Sequence, residues 1–134
     1  MANNEKVVQF LEKAQIFYLT TVDGSKPKCR PISFSMEHDG KIYFGVGTYK
    51  NVYRQLQENP NTEVCAFTGQ NFLRYYGKAE FDPNPELVEK ALDAVPVLRD
   101  VYNEQTGYKL GMFYLTDATA EICGMMGVEE TISM

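Results

Sequence analysis

Histidine is almost missing from this chain of 134 residues, with His38 the single copy. That imidazole falls in a turn segment, which sets it aside as a catalytic base, and no Ser-His-Asp arrangement has a spacing that supports a triad. Cysteine is sparse and scattered, at Cys29, Cys65 and Cys123, with no CxxC pair. One histidine and dispersed thiols assemble no metal site. An odd thiol count without a secretory leader points to free thiols in a reducing compartment, so a cytoplasmic protein is expected. No apolar run approaches the length of a membrane span, so no membrane partner is expected. The glycine fingerprint of a resident dinucleotide site is missing too, so a nicotinamide would have to visit transiently. No repeat, low-complexity segment or linker interrupts the chain, and residues 1–134 read as one domain long enough for a real core.

An excess of positive charge is also lacking. Thirteen Lys and Arg stand against eighteen Asp and Glu, for a net charge of −5, which argues against a nucleic-acid partner. The charge is unevenly spread. Residues 13–54 hold seven cations and three acids, whereas residues 80–130 hold three cations and eleven acids.

What the chain does have is alternation. Ile32, Phe34 and Met36 share one face of an extended run, and Ile42, Phe44 and Val46 share one face of the next. This two-residue period is that of half-buried strands. Glu37-His38-Asp39-Gly40 between them predicts a β-hairpin. Strands are likewise expected over residues 16–22, 26–36, 62–68, 72–81, 111–116 and 119–123, with a short one in 128–133. Gly77 inside the 72–81 strand marks a bulge or bend. Helices are expected over residues 4–14, with Asn4 as cap, over 51–58, and from Pro85 with Asn84 as cap. A short turn or helix from Pro96 and a polar loop over 103–109 follow. Cys65, in an apolar run, is expected in the core, and Met125 and Met126 in the core or in dimer packing.

The stretch that carries chemistry is Gly45-Val46-Gly47-Thr48-Tyr49-Lys50, which leaves a strand and leads at once into the 51–58 helix. The glycines allow close approach of the backbone. Thr48 offers a hydroxyl, Lys50 a cation, and the helix N-terminus its free N–H groups, which together suit a phosphate. Arg30, on a preceding strand, adds a cation with fork geometry. The alternative for Arg30 and Lys50 is solvated charge at strand and helix ends. Cys29, between Lys28 and Arg30, has a setting that favours its thiolate but no partner for chemistry.

In sequence order, F-Y-L-T-T-V-D-G, R-P at 30–31, D-G-K-I-Y-F-G-V-G-T-Y-K, L-x-x-N-P ending at Pro60, V-C-A-F and Y-Y-G-K-A-E resemble the FMN-binding split-barrel proteins of the pyridoxamine 5'-phosphate oxidase-like family. The resemblance covers residues 10–82. It implies a mainly β fold, a six-stranded antiparallel split β-barrel flanked by two or three helices. It implies a homodimer with FMN at the subunit interface. Arg30, Pro31, Ile32 and Ser33 would lie beside the flavin, Gly45 and Val46 against its ring, and Thr48, Tyr49 and Lys50 at its phosphate. Arg74 would reach flavin or substrate from the facing subunit; the other reading of Arg74 is a strand cation stacked on tyrosine.

Two departures bear on the substrate. Ser35 stands where the full oxidases have a basic residue, and Phe72 where they have a flavin-contacting glutamine, which argues against pyridoxamine phosphate. Smaller members of the family include nitroimidazole-reductase-like proteins. The function implied is an FMN-dependent oxidoreductase passing electrons from a reduced nicotinamide to a small-molecule acceptor. The alternative is a non-catalytic binding module or dimeric scaffold that holds FMN, a deazaflavin or haem.

Overall fold

The computed structural model describes residues 2–134. The chain runs α1 (Ala2–Ala14), β1 (Phe17–Asp23), β2 (Lys26–Ile32), β3 (Ser35–His38), β4 (Lys41–Gly47), α2 (Asn51–Glu58), β5 (Asn61–Phe67), β6 (Phe72–Asp82), α3 (Pro85–Ala94), a 3-10 turn (Pro96–Asp100), β7 (Leu110–Gly124) and β8 (Gly127–Ser133). All pairings are antiparallel, in the order β2-β1-β5-β6-β7-β4-β3, with β8 added on β7. β7 is flanked by β6 on one side. On its other side it pairs with β4 at residues 110–113 and with β8 at residues 119–124.

The two edges of this order, β2 and β3, are consecutive in the chain, with only Ser33 and Phe34 between them. The sheet therefore has to roll, and its edges are joined by covalent chain with no ladder between them. The expected mainly β architecture with flanking helices is present. The expected count of six strands is not, because eight strands share one sheet and the barrel is open. The run 26–36, read as one strand, breaks at Ser33 and Phe34 for the same reason, since the chain there crosses from one sheet edge to the other.

Local chemistry explains most elements. The β3–β4 turn places Asp39 at φ 50° and Gly40 at φ 77°, the pair of positive values that a two-residue hairpin turn matched to strand twist requires. Asn84 accepts a hydrogen bond from the Glu86 N–H, and Pro85 occupies the first turn of α3. Asn4 is not a cap. It lies inside α1, and its side-chain amide donates to the Gly40 carbonyl, tying the helix to the hairpin turn. The two strands expected over 111–116 and 119–123 are one 15-residue strand. Its pairing with β6 slips between Tyr76–Thr119 and Lys78–Thr116, and Asp117 at φ 50° takes up the extra residue as a bulge opposite Gly77.

Val7 and Leu11 of α1, four apart, close the barrel interior over Phe17, Leu19, Phe44, Val64, Leu73 and Phe113. Full burial of each such side chain contributes about 1.5–3 kcal/mol. On the outside, Leu87 and Ala91 of α3 cover Tyr43 and Met112, so β4 buries residues on both faces. Cys65 is only part-buried because Val64 and Ala66 take the inward positions beside it; Cys123 is the buried thiol. Met125 and Met126 lie at the β7–β8 turn, 99% and 98% exposed, and so are not core residues.

Candidate functional site

Where the two sheet edges meet, a cavity of about 240 Å³ opens. One wall comes from the end of β2 and the crossing link, with Arg30, Pro31, Ile32, Ser33 and Phe34. The floor is the end of β4, with Gly45, Val46 and Gly47. Lys50 and Val52 at the start of α2 form the second wall, and Leu98, Tyr102 and Leu110 the third. Glycine at position 47 lets the tips of two tyrosine rings close on the β4 backbone. A Cβ there would lie 2.8 Å from the Tyr49 ring and 2.9 Å from the Tyr102 hydroxyl.

Of the residues expected from the sequence, Arg30, Pro31, Ile32, Ser33, Gly45, Val46 and Lys50 are brought together on this cavity. Three others are placed elsewhere. The Thr48 N–H donates to the Lys109 carbonyl at 2.9 Å, and its methyl group packs towards Gly111. Tyr49 stacks on Tyr108, with ring centres 3.9 Å apart and planes at 13°. Arg74 lies on the outer face of β6. Its Nε and Nη2 donate to Glu63 at 2.8 and 2.9 Å, its Nη1 is 3.7 Å from Glu121, and its guanidinium is 5.7 Å from the centre of the Tyr76 ring. The hydrogen bond and charge of Glu63 raise the Arg74 pKa.

Positive potential converges on the cavity from three sources. Lys50 is the N-cap residue of α2, that helix has no side-chain cap bond, and its first turn holds no acid. Its N-terminal dipole end is thus left uncompensated beside a lysine. Arg30 is the third source. Its Nη1 donates to Thr21 Oγ1 at 2.7 Å and to the Leu19 carbonyl at 3.2 Å, and its Nη2 donates to Gln55 Oε1 at 2.9 Å. Burial lowers the Arg30 pKa, partly offset by Cys29. An arginine remains charged under such a shift.

Sequence reasoning missed Thr21, Gln55, Leu98 and Tyr102. A signal for Gln55 was available. Val52, Gln55 and Leu56 recur at helical spacing, so Gln55 falls on the buried face of α2, where a polar side chain requires a partner. Leu98 and Tyr102 arrive from a loop whose path no local pattern sets.

A larger cavity of about 440 Å³ opens beside the bulge, around Thr20, Pro27, Tyr76 and Gly77. Its single cation, Lys78, is accompanied by Glu63 and Asp117, so it has no converging positive charge. Among the described residues, no three His, Cys, Asp or Glu side chains are grouped to hold a metal ion. Among the described residues, no helix is long and apolar enough to cross a membrane.

Comparison with known proteins bears on this arrangement. The family model described as pyridoxamine 5'-phosphate oxidase matches residues 4–107. No curated protein sequence matches the chain significantly. Among solved structures, a NimC/NimA family protein from Clostridium acetobutylicum is 30% identical, with 97% of this chain and 92% of that chain covered and a TM-score of 0.86. General stress protein 26 from Bacillus anthracis is 17% identical, with both chains covered in full and a TM-score of 0.74. A pyridoxamine 5'-phosphate oxidase-related, FMN binding protein from Nostoc punctiforme is 15% identical, covering 97% of this chain and 85% of that chain, with a TM-score of 0.67. The last two likenesses concern the fold alone.

Proposed function

This chain belongs to the pyridoxamine 5'-phosphate oxidase family, and from that premise we propose that it binds FMN as a homodimer and passes electrons from a reduced nicotinamide to a small-molecule acceptor. The observation that carries the reading is the junction of two cations and an uncapped helix N-terminus with an apolar slot, all on one cavity. A flavin mononucleotide is a flat ring with a dianionic tail, and the residues present fit both parts. Arg30, Lys50 and the first N–H groups of α2 would hold the phosphate. Pro31, Ile32, Val46 and Val52 would flank the ring and exclude water. Gly45 would let the backbone lie close to it, with Ser33 alongside. Thr48 and Tyr49, whose side chains pack on Gly111 and Tyr108, would shape the turn that aims Lys50.

The cavity in one protomer is about 240 Å³, below the roughly 300–1,000 Å³ usual for a cofactor-sized ligand. A second protomer would supply the missing wall. The outer face of β1 and β5 suits that role. Tyr18 and Phe67 are 48% and 63% exposed there, and Tyr18 stands opposite Pro31 of the cavity. Arg74 is on the same sheet face, paired with Glu63 and Glu121, and so lies among the residues that a partner would meet.

When bound, FMN would supply the two-electron chemistry between donor and acceptor. The chain's own contribution is to fix the ring, keep water from it and hold positive charge at the phosphate end. Anaerobic addition of NADH or NADPH to the FMN-loaded protein tests the redox part of the proposal. Bleaching of the flavin absorbance, reversed by a nitroimidazole as acceptor, is expected. Persistence of the oxidised spectrum with both nucleotides would contradict it and favour a binding module.

A further inference from the structure

Among the described residues, the buried polar side chains are Thr21, Gln55 and Thr62, and two of these three hold Arg30. Thr21 Oγ1 also donates to Gln55 Oε1, at 2.5 Å. The result is a closed set. The threonine hydroxyl accepts from Nη1 of Arg30 and donates to the glutamine oxygen, and the same oxygen accepts from Nη2. A guanidinium has donors and no acceptor, so it is the Gln55 carbonyl oxygen, not the amide nitrogen, that faces Arg30.

The stereochemistry of this arrangement is informative. A guanidinium presents five N–H bonds in a rigid plane, along one end edge (Nη1 with Nη2) and one side edge (Nε with Nη2). Thr21 and Gln55 occupy the end edge. Nη1 has the Leu19 and Lys28 carbonyls as further acceptors, at 3.2 and 3.4 Å. Among the described residues no acceptor takes the Nε–H. The side edge, which matches two oxygens of a phosphate, is therefore left open on a residue that lines the cavity.

We propose that Thr21 and Gln55 are positioning residues that clamp the end edge of Arg30 and so present its side edge to the cofactor phosphate, setting a preference for phosphorylated over unphosphorylated flavin. This rests on the FMN reading above and adds to it two residues that would not touch the cofactor. Neither residue carries charge, so both act through the orientation of Arg30. Tethering also removes the rotamer freedom that a long cation would otherwise lose on binding.

The test is the ratio of affinities for FMN and riboflavin, measured by flavin fluorescence in wild type, Gln55→Met and Thr21→Val. Both variants nearly conserve volume and remove the polar contact. FMN binding should weaken about tenfold to a hundredfold, the equivalent of one hydrogen bond to a charged group. Riboflavin binding should stay within about twofold, because no phosphate is present for Arg30 to grip. A merely structural role would weaken both flavins in proportion and keep the ratio. That result overturns the inference, as do variants that bind FMN like wild type. If one variant fails to fold, the other reads the same ratio by itself. Equal wild-type affinity for the two flavins overturns the inference while flavin binding stands. Binding of neither flavin by wild type overturns the proposed cofactor and the inference with it.

Discussion

The buried phenol of Tyr43 donates a hydrogen bond to Asp82 at 2.7 Å, joining the middle of β4 to the end of β6 beneath α3. The same carboxylate accepts from the Asn84 N–H at 3.0 Å, just before the helix begins. The Tyr43 bond is the main cause holding the Asp82 pKa below its ordinary value, with the Asn84 N–H second. A carboxylate whose folded pKa is depressed stabilises the fold above its unfolded pKa, and that stabilisation is lost as pH falls through the folded value. Tyr43→Phe should therefore cost about 1 kcal/mol at neutral pH, a figure reduced for solvent screening. The gap from wild type should close below about pH 4. Urea unfolding of both proteins across that range checks this; a gap independent of pH would contradict the assignment.

Gly77 answers to a steric constraint. A Cβ at this position would sit 2.5 Å from the Thr116 carbonyl oxygen and 3.1 Å from the Ala118 Cα, both of them backbone atoms. No side-chain rotation relieves such contacts. Gly77→Ala should destabilise the protein by about 1–3 kcal/mol. Chemical denaturation reads this directly, and an unchanged midpoint would mean that the bulge shifts freely.

These two contacts show what a sequence can and cannot disclose. The 51–58 helix, the Asn84–Pro85 start of α3 and the Asp39–Gly40 turn were all legible, because each is set by chemistry within a few residues. Gly77 announces a bulge, but the partner half of that bulge, Asp117 at positive φ, does not announce itself, and the sequence pattern divides β7 there into strands over 111–116 and 119–123. The break at Ser33 and Phe34 was illegible, since it follows from which distant strands form the sheet edges. Of the cavity, the residues from β2, β4 and the start of α2 were identified from their anion chemistry and from the family resemblance. Leu98 and Tyr102 reach it from a loop with no periodicity. Gln55 was legible in principle, as a polar residue on an apolar helical face.

The proposed dimer makes a separate prediction. Phe67 is 63% exposed on the outer sheet face, so a lysine there should leave the isolated fold intact. Phe67→Lys is expected to shift the protein from dimer towards monomer in analytical ultracentrifugation. FMN affinity should fall with it by about tenfold or more, as when a central apolar interface residue is lost. Monomers that bind FMN as tightly as wild type would show that one protomer suffices.

The measurement that bears most directly on the account is a fluorescence-quenching titration of the purified protein with FMN, repeated on Arg30→Ala and Lys50→Ala. Saturable binding at one FMN per chain is expected. Each variant should weaken it by at least about tenfold, since each removes a charge-assisted contact to the phosphate. Failure of the wild-type protein to quench FMN, or titrations of both variants that overlay the wild-type curve, would contradict the assignment of the cavity to the cofactor.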